Sequence, residues 1–327
     1  MEGSSETGAP LRADGGVLIV RNAASGTAVI RSDPAATFAA RVPEAQVHEL
    51  AEGEDLADAV AAAMESDAAP AVLGIYGGDG SVSRMADLAR RYDRPMLAMP
   101  GGTFNHFVRA LGIESVGIAL DALEAGSTVS VGVVEAIADD DEPRTVLNVV
   151  SVGAYPALIE ERERRSDLGK WLGGVAATWA ALRSTEPLTI VLDGRRARVW
   201  SVFVSAGRND PERVATMQRQ EADASVLDVR VHHARGSRVR ALASLAFGKR
   251  TAAVLRAVRL FPRDADIERL VVRELDLRVT PAPGRPSLFV HDGELEERAP
   301  DGFRLRCRAV PDALRVFAPG DRPRSPS

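Results

Sequence analysis

Short apolar runs and helical patterns alternate along the first part of the chain. The runs with the length of a buried strand are 16–20, 71–76 and 95–99. Each ends at a loop rich in glycine, serine or asparagine, and helical spacing is present at 55–64, 83–92 and 107–111. Strands that alternate with helices predict a parallel sheet whose ligands bind at the carboxyl ends of the strands. We therefore expect the three loops to lie along one edge of that sheet.

The pattern changes near residue 130 to runs that alternate as strands do. These runs are 131–137, 145–152, 188–192, 199–205 and 226–232, and a helical pattern over 157–183 interrupts them. They predict a second domain, rich in β-strands, that begins near 131. The polar residues 1–14 and the Pro- and Arg-rich residues 319–327 are expected to form a disordered leader and tail.

The composition is that of a globular protein with two domains. Of the 327 residues, 45% are hydrophobic and 27% are charged. No apolar run approaches the roughly 18 to 20 residues that span a bilayer. Cys307 is the only cysteine, which excludes an intrachain disulfide and a thiolate zinc site and favours the reducing cytoplasm.

Charge is distributed unevenly along the chain. The net charge of -5 combines -9 over residues 1–134 with +4 over the remainder. The stretch 234–263 holds eight basic side chains and no acidic one, interleaved with apolar residues. It is either a solvated helix face or a contact with an anionic membrane surface. Charge alone does not choose between nucleic acid and anionic lipid as the partner.

Three loops carry the candidate chemistry. They are Asn22-Ala-Ala-Ser-Gly26, Gly77-Gly-Asp-Gly-Ser81 and Pro100-Gly-Gly-Thr-Phe-Asn105. Consecutive glycines let backbone N–H groups approach a phosphate, and a following helix N-terminus adds a favourable dipole. The loop 77–81 is neither a Walker A loop nor a dinucleotide-binding turn, and by itself it could be a structural tight turn. Three such loops at one sheet edge indicate a phosphate-binding site.

In motif order and spacing, the chain resembles the family of diacylglycerol kinases, sphingosine kinases and bacterial lipid kinases. The three loops match its Asn-Pro-x-Ser-Gly-like, Gly-Gly-Asp-Gly-Thr and Pro-x-Gly-Thr-x-Asn-Asp-Phe motifs. Weaker matches are Asn148-Val-Val-Ser-Val-Gly153, Leu227-Asp-Val229, His291-Asp-Gly-Glu294 and the last strand, 313–316. The resemblance implies a Rossmann-like doubly wound α/β domain over 15–130 and about 306–318. It also implies a β-sandwich-like domain over 131–305, which would bind lipid; the two-domain fold resembles that of the more distant NAD kinases as well.

Carried over position by position, the resemblance implies a site for ATP and Mg²⁺ between the two domains. Asp79, Asp292 and Glu294 would be catalytic, with Asp79 the first choice as general base. Asp79 and Glu294 would also bind the metal ion. The residues implied to bind ATP are Asn22, Ser25, Gly26, Gly77, Gly78, Gly80, Ser81, Gly102, Thr103 and Asn105. Phosphoryl transfer depends on positioning and on neutralising charge, which residues of these types supply.

Two departures from the family pattern bear on function. His106 stands where an aspartate is commonest, so one acidic group is missing. A bacterial branch of the family resembles the chain at this position, and the alternatives are loss of activity or an incidental histidine that plays no part in the site. The family's Asp-Asp-Gly turn before Leu227 is replaced by Asp223-Ala-Ser225, which makes a structural metal at that turn doubtful.

The predicted function is transfer of the γ-phosphoryl group of ATP to a lipid hydroxyl, with diacylglycerol, which gives phosphatidic acid, as the first candidate. The expected partners are a lipid substrate and an anionic membrane surface, which the protein would bind peripherally from the cytoplasm, and no nucleic acid. A kinase of a soluble acceptor and a non-catalytic lipid or nucleotide sensor are the alternatives. Sphingoid, polyprenol and glycerolipid acceptors stay open, and an exposed strand edge could pair two protomers as a homodimer.

Overall fold

The computed structural model describes residues 16–22, 34–102, 105–153, 186–209, 225–234 and 267–320. The chain divides into two compact units. Unit 1 comprises the chain up to Val131 and from Asp312 onward, and unit 2 comprises residues 132–311. The chain passes from one unit to the other within two long strands, β5 (Thr128–Ala138) and β15 (Phe303–Phe317).

Unit 1 is built on a parallel sheet. Its strands are β1 (Val17–Asn22), β2 (Gln46–Leu50), β3 (Val72–Gly77) and β4 (Met96–Pro100). They are ordered β2–β1–β3–β4, and the end of β15 lies parallel to β4 through Val316 and Met96. The strand order reverses between β1 and β3, which is the place where open α/β sheets bind ligands.

Five helices belong to the described part of unit 1. They are α1 (Ala35–Arg41), α2 (Leu56–Met64), α3 (Asp79–Arg91), α4 (His106–Ala110) and α5 (Val116–Glu124). Helix α2 begins close to its predicted start because the Asp55 carboxylate accepts a hydrogen bond from the Ala57 N–H (2.8 Å). Helix α3 begins at Asp79 rather than at 83, so its first turn consists of residues that the sequence assigns to a loop. The sequence patterns do not predict α1, β2 or α5, and β2 is largely exposed and lacks an apolar run.

Unit 2 is rich in antiparallel strands. Besides β5 and β15, they are β6 (Arg144–Val146), β7 (Val149–Gly153), β8 (Leu188–Leu192), β9 (Arg195–Ala206), β10 (Leu227–His233), β11 (Ile267–Val272), β12 (Glu274–Thr280), β13 (Ser287–His291) and β14 (Glu294–Arg298). Their order is β14–β13–β7–β9–β8–β12–β15, with β10 between β9 and β11 and with β6 beside β5. The strand-rich second domain that the sequence predicts is therefore present.

One predicted strand of unit 2 is wrong in its extent. The run 145–152 is divided into β6 and β7, because the N–H groups of Leu147 and Asn148 bind the carboxylate of Asp292. The predicted strands 188–192 and 226–232 are confirmed as β8 and β10.

The sheet formed by β7, β9 and β10 has one apolar and one polar face. Its apolar face belongs to the core of unit 2, where Val202 pairs with Val152 and Val231. The opposite face carries Ser151 and Arg230, which flank Phe203 in the same register. All of these residues are buried. Successive residues of the same strand therefore lie on opposite faces of the sheet and have very different surroundings.

Several predicted segments lie outside the described residues. They are the leader 1–14, the helix 157–183, the basic stretch beyond residue 234 and the tail from 321 onward. Within the described ranges, no helix combines the length and the apolar character needed to cross a membrane.

Candidate active site

Three of the predicted loops start from the carboxyl ends of three adjacent parallel strands. Asn22 is the last residue of β1, and β1 is the neighbour of β3. Gly77 and Pro100 end β3 and β4 and lie opposite one another in register. Ser25, Gly26 and Thr103, which were also predicted to bind ATP, lie outside the described residues. The expected gathering of the loop origins at one sheet edge is therefore present.

The two glycine loops contact one another through their backbones. The Gly101 N–H donates a hydrogen bond to the Gly77 carbonyl oxygen (2.9 Å). A Cβ atom at Gly101 would lie 2.8 Å from the Gly77 nitrogen, and one at Gly102 would lie 2.6 Å from the Gly78 Cα. Side chains at these positions would push the loops apart. The glycines are thus required by the contact between the loops as well as by any phosphate that approaches them.

The N-terminus of α3 lies at the same edge of the sheet. Gly78 is its N-cap residue and provides no side-chain hydrogen bond to the first turn, which contains Asp79, Gly80 and Ser81. First-turn N–H groups have no carbonyl partner within a helix, and the helix dipole is positive there. Backbone donors and a positive dipole together favour a phosphate group. The positions predicted to bind ATP in this loop therefore fit an anionic ligand.

Asp79 links the first glycine loop, 77–81, to the second, 100–105. Its Oδ1 accepts a hydrogen bond from the His106 N–H (2.8 Å) and its Oδ2 accepts one from the Asn105 N–H (3.0 Å). Both donors lie at the start of α4. The carboxylate is half-buried, and each oxygen keeps a further lone pair that could bind a metal ion. These contacts make Asp79 a positioning residue for the second loop, while its predicted role as general base stays a prediction.

Asn105 completes the link from within the second loop. It has a left-handed backbone, with φ 53°, and is almost fully buried. Its Oδ1 accepts from the Gly102 N–H (2.9 Å), and its Nδ2 donates to the Gly102 carbonyl oxygen (2.8 Å). Asn105 therefore shapes the loop, while its predicted contact with ATP stays a prediction. His106 offers Asp79 its backbone N–H, a contact that does not depend on the identity of its side chain.

Asp292 lies in a tight turn of unit 2. With Gly293 it forms the two-residue connection between β13 and β14, and both residues have positive φ (46° and 94°), as the type I′ hairpin requires. Its carboxylate accepts hydrogen bonds from the N–H groups of Leu147 (2.6 Å), Asn148 (2.8 Å) and Val149 (3.1 Å). Asp292 is also buried. Its contacts are those of a residue that fixes the chain between β6 and β7.

Glu294 differs from the two aspartates. It is the first residue of β14 and is half-buried, and its carboxylate has no hydrogen-bond partner among the residues that the structure describes. Of the three acidic residues predicted to be catalytic, it is the one whose carboxylate is not bound to backbone N–H groups. It is therefore the best candidate for direct contact with a substrate or a metal ion.

A network of charged side chains next to Glu294 was not predicted from the sequence. The carboxylate of Glu296 contacts His291 (2.7 Å), Arg298 (2.6 Å) and Arg144 (3.0 Å). Burial acts to raise the pKa of Glu296, but the hydrogen bond from His291 and the two arginines lower it overall. The alternation of charged residues in β14 is a weak sequence signal for this network, since it does not reveal the strands opposite.

The described residues contain no cluster of three or more His, Cys, Asp or Glu side chains that could hold a metal ion. A dedicated all-protein metal cage is thus missing from residues 16–22, 34–102, 105–153, 186–209, 225–234 and 267–320. Magnesium commonly uses only one or two carboxylates together with nucleotide phosphates and water. Asp79 and Glu294 fit that requirement in residue type, so their predicted role as Mg²⁺ ligands is chemically consistent.

Comparison with known proteins agrees with this geometry. Residues 16–136 match the family model described as the diacylglycerol kinase catalytic domain. A Bacillus anthracis protein assigned as a diacylglycerol kinase is 17% identical, with a TM-score of 0.60 over 94% of this chain and 98% of that one. A diacylglycerol kinase structure from the same organism is 16% identical, with a TM-score of 0.56 over 94% and 97%. At these identities the structural likeness shows the fold.

The parallel sheet with its three strand-end loops, followed by a strand-rich unit, defines the two-domain fold of diacylglycerol kinase-like proteins. Residues 16–136 are the part of the chain that is similar to the diacylglycerol kinase catalytic domain. The fold class and the family resemblance predicted from the motifs are therefore confirmed.

Proposed function

We propose that the protein is a lipid kinase that transfers the γ-phosphoryl group of ATP to the hydroxyl group of diacylglycerol, which gives phosphatidic acid. The observation that carries this proposal is the pair of backbone-packed glycine loops beside the N-terminus of α3, within the segment that matches the catalytic domain. Members of that family typically use ATP and a divalent cation. The acceptor is the finer part of the proposal.

The residues of unit 1 bind and orient the nucleotide. Backbone N–H groups of Gly78, Gly80 and Ser81 hold its phosphates at the start of α3. Asp79 keeps the second loop in place through Asn105 and His106. Asp79 and Glu294 are the carboxylates predicted to hold Mg²⁺, which would neutralise part of the phosphate charge when bound.

The transfer step requires an acceptor for one proton. The lipid hydroxyl oxygen forms a bond to the γ-phosphorus, the bond between that phosphorus and the bridging oxygen of ADP breaks, and the hydroxyl proton passes to a carboxylate. We assign this proton to Glu294 because, of the three carboxylates, it is the one that accepts no hydrogen bond from a backbone N–H group within the described residues, and such bonds make a carboxylate less basic. This assignment differs from the sequence-based choice of Asp79.

Access to a lipid requires contact with a membrane surface. The basic, amphipathic stretch 234–263 is the segment proposed to make this contact from the cytoplasmic side, by attraction to anionic headgroups. Peripheral binding of this kind would weaken as salt is raised. Sedimentation with vesicles that contain phosphatidylglycerol, at low and high salt, measures it directly.

A non-catalytic sensor is the second candidate function. It is favoured because the carboxylates of Asp79 and Asp292 accept hydrogen bonds from backbone N–H groups. His106, at a position where the family most often has an aspartate, favours it as well. Such a protein would bind ATP and lipid without transferring phosphate. The two candidates differ in turnover and not in binding.

Transfer of labelled γ-phosphate from Mg-ATP to diacylglycerol in mixed micelles tests the proposal. The native chain should form phosphatidic acid, and Glu294→Gln should form at least about 100-fold less at saturating substrate. Glu297→Gln, an exposed neighbour on the same strand, should behave as the native chain does. ATP binding without any lipid product would reject the kinase and support the sensor.

A further inference from the structure

Asp228 is a carboxylate buried in the middle of unit 2. It lies on β10 and has no exposed surface. Removing an ionised carboxylate from water costs several kcal/mol unless a positive charge and hydrogen bonds compensate. Asp228, which follows the Asp223-Ala-Ser225 turn by three residues, therefore needs a cationic partner.

Arg269 of the adjacent strand β11 is that partner. Its Nε donates to Oδ1 of Asp228 (2.9 Å) and its Nη2 donates to Oδ2 (2.6 Å). The same Nη2 also donates to the Asn209 carbonyl oxygen (3.1 Å), while the Asn209 N–H donates to Oδ2 of Asp228 (2.9 Å). One guanidinium group thus joins a carboxylate to a backbone carbonyl. Oxygens of these two kinds are the ligands that hard divalent cations take in proteins.

The charges around Asp228 disfavour an additional metal ion. Arg230 places a second guanidinium 3.6 Å from Oδ2, so one carboxylate already faces two positive charges. The hydrogen bond from Asp228 also raises the pKa of Arg269, which keeps the guanidinium charged. Ala224 stands where the family pattern has its second aspartate, so a second carboxylate is missing from the sequence there.

We infer that the guanidinium group of Arg269 is a built-in substitute for a structural metal ion at Asp228, and that the fold of unit 2 needs no divalent cation. The bidentate geometry suits arginine, because its planar fork matches the two carboxylate oxygens. The pair also ties β10 and β11 to the segment that contains Asn209. A requirement for divalent cations would then belong to the nucleotide alone.

The first test is thermal unfolding of the full chain in EDTA and in millimolar MgCl₂, without nucleotide. A cation that binds only the folded state would raise the unfolding midpoint. Because we infer that no such cation binds, the two midpoints should agree to within about 1 °C. A midpoint several degrees lower in EDTA would overturn the inference. Phosphate transfer plays no part in this measurement, so its result is independent of the proposed kinase activity.

The second test removes the built-in cation. Arg269→Ala should lower the unfolding midpoint by roughly 5–10 °C, because it leaves Asp228 buried without its main partner. Addition of guanidinium chloride at low millimolar concentration, or of MgCl₂, should restore part of that loss by filling the vacated place. Arg278→Ala, which removes an exposed arginine from β12, should show neither the loss nor the rescue.

A further variant covers the case in which Arg269→Ala does not fold. Arg269→Lys keeps the positive charge but loses the bidentate hydrogen bonds, so its midpoint should fall by less and should rise when guanidinium is added. If Arg269→Ala and Arg269→Lys were both as stable as Arg278→Ala, Arg269 would not perform the role assigned to it.

Discussion

Asp79 and Asp292 lie in similar short sequences but differ in their surroundings. Each is the aspartate of an Asp-Gly pair, and each binds backbone N–H groups of another segment. The half-buried Asp79 takes two such donors, from the start of α4. The buried Asp292 takes three, between β6 and β7. Because Asp292 is more deeply buried and accepts more hydrogen bonds, we expect it to contribute more than Asp79 to the free energy of unfolding.

The largest effect on stability is expected at Asp292. Asp292→Ala leaves three buried N–H groups without an acceptor and should lower the free energy of unfolding by about 3–5 kcal/mol. Asp292→Asn keeps one acceptor oxygen and tolerates positive φ, so its loss should be about half as large. Urea denaturation measures both variants.

Asp193 provides a matched control for this turn. With Gly194 it forms the two-residue connection between β8 and β9, also with positive φ (49° and 74°), but its side chain is exposed. Asp193→Asn should change stability by less than about 0.5 kcal/mol. Equal losses at Asp193 and Asp292 would show that the turn conformation, and not the three hydrogen bonds, sets the cost.

The burial of His232 in unit 2 should also make the free energy of unfolding depend on pH. Burial, followed by the charge of Arg230, lowers the pKa of His232 from 6.5 to about 4. Between these values the unfolded chain binds more protons than the folded one, so stability falls as the pH decreases. The contribution of His232 between pH 7.5 and pH 5 should be about 2 kcal/mol.

His232→Phe removes this titration and keeps a ring beside Phe203, which His232 contacts at 5.5 Å between ring centroids. The variant should lose less stability than the native chain between pH 7.5 and pH 5, as measured by urea denaturation at both values. An equal loss of stability in the variant and in the native chain would mean that folding does not lower the pKa of His232.

A smaller effect on stability is expected at Asp79. Asp79→Asn presents an NH₂ group to one of the two backbone donors at the start of α4, which should cost about 1–2 kcal/mol. Phosphate transfer should fall together with the affinity for ATP, because the second loop loses its anchor. Asp58→Asn, in the first turn of α2, controls for the loss of a negative charge near a helix N-terminus.

If Asp79→Asn abolished transfer while ATP affinity and stability stayed native, Asp79 would be acting on the reacting groups and not as a positioning residue. Separate measurement of the ATP dissociation constant, of kcat and of urea denaturation distinguishes these outcomes.

The smallest effect on stability is expected at Glu294. Its carboxylate has no hydrogen-bond partner within the described part of the chain, so Glu294→Gln should change the free energy of unfolding by less than about 0.5 kcal/mol. Its loss of phosphate transfer should nevertheless be the largest of the acidic variants. A large loss of stability would remove the contrast with Asp292 on which its assignment rests.

Much of the architecture follows from the order of apolar runs. The strands β3 and β4 end within one residue of the predicted positions, because continuous apolar runs stop where glycine and proline begin. The exposed edge strand β2 is missed because exposure removes the pattern that predicts a strand. The division of 145–152 into two strands is missed because the acceptor that causes it, Asp292, lies far away in the sequence.

The sequence by itself determined the class of the fold, the resemblance to the diacylglycerol kinase catalytic domain and the three loops, since these depend on local periodicity and on residues close together in the chain. The tertiary structure decided what the acidic residues do. Whether a carboxylate binds backbone N–H groups, an arginine or nothing depends on segments that meet only after folding, as Asp79 meets α4 and Asp228 meets Arg269. Side-chain chemistry is local, whereas burial and partners are long-range consequences of packing.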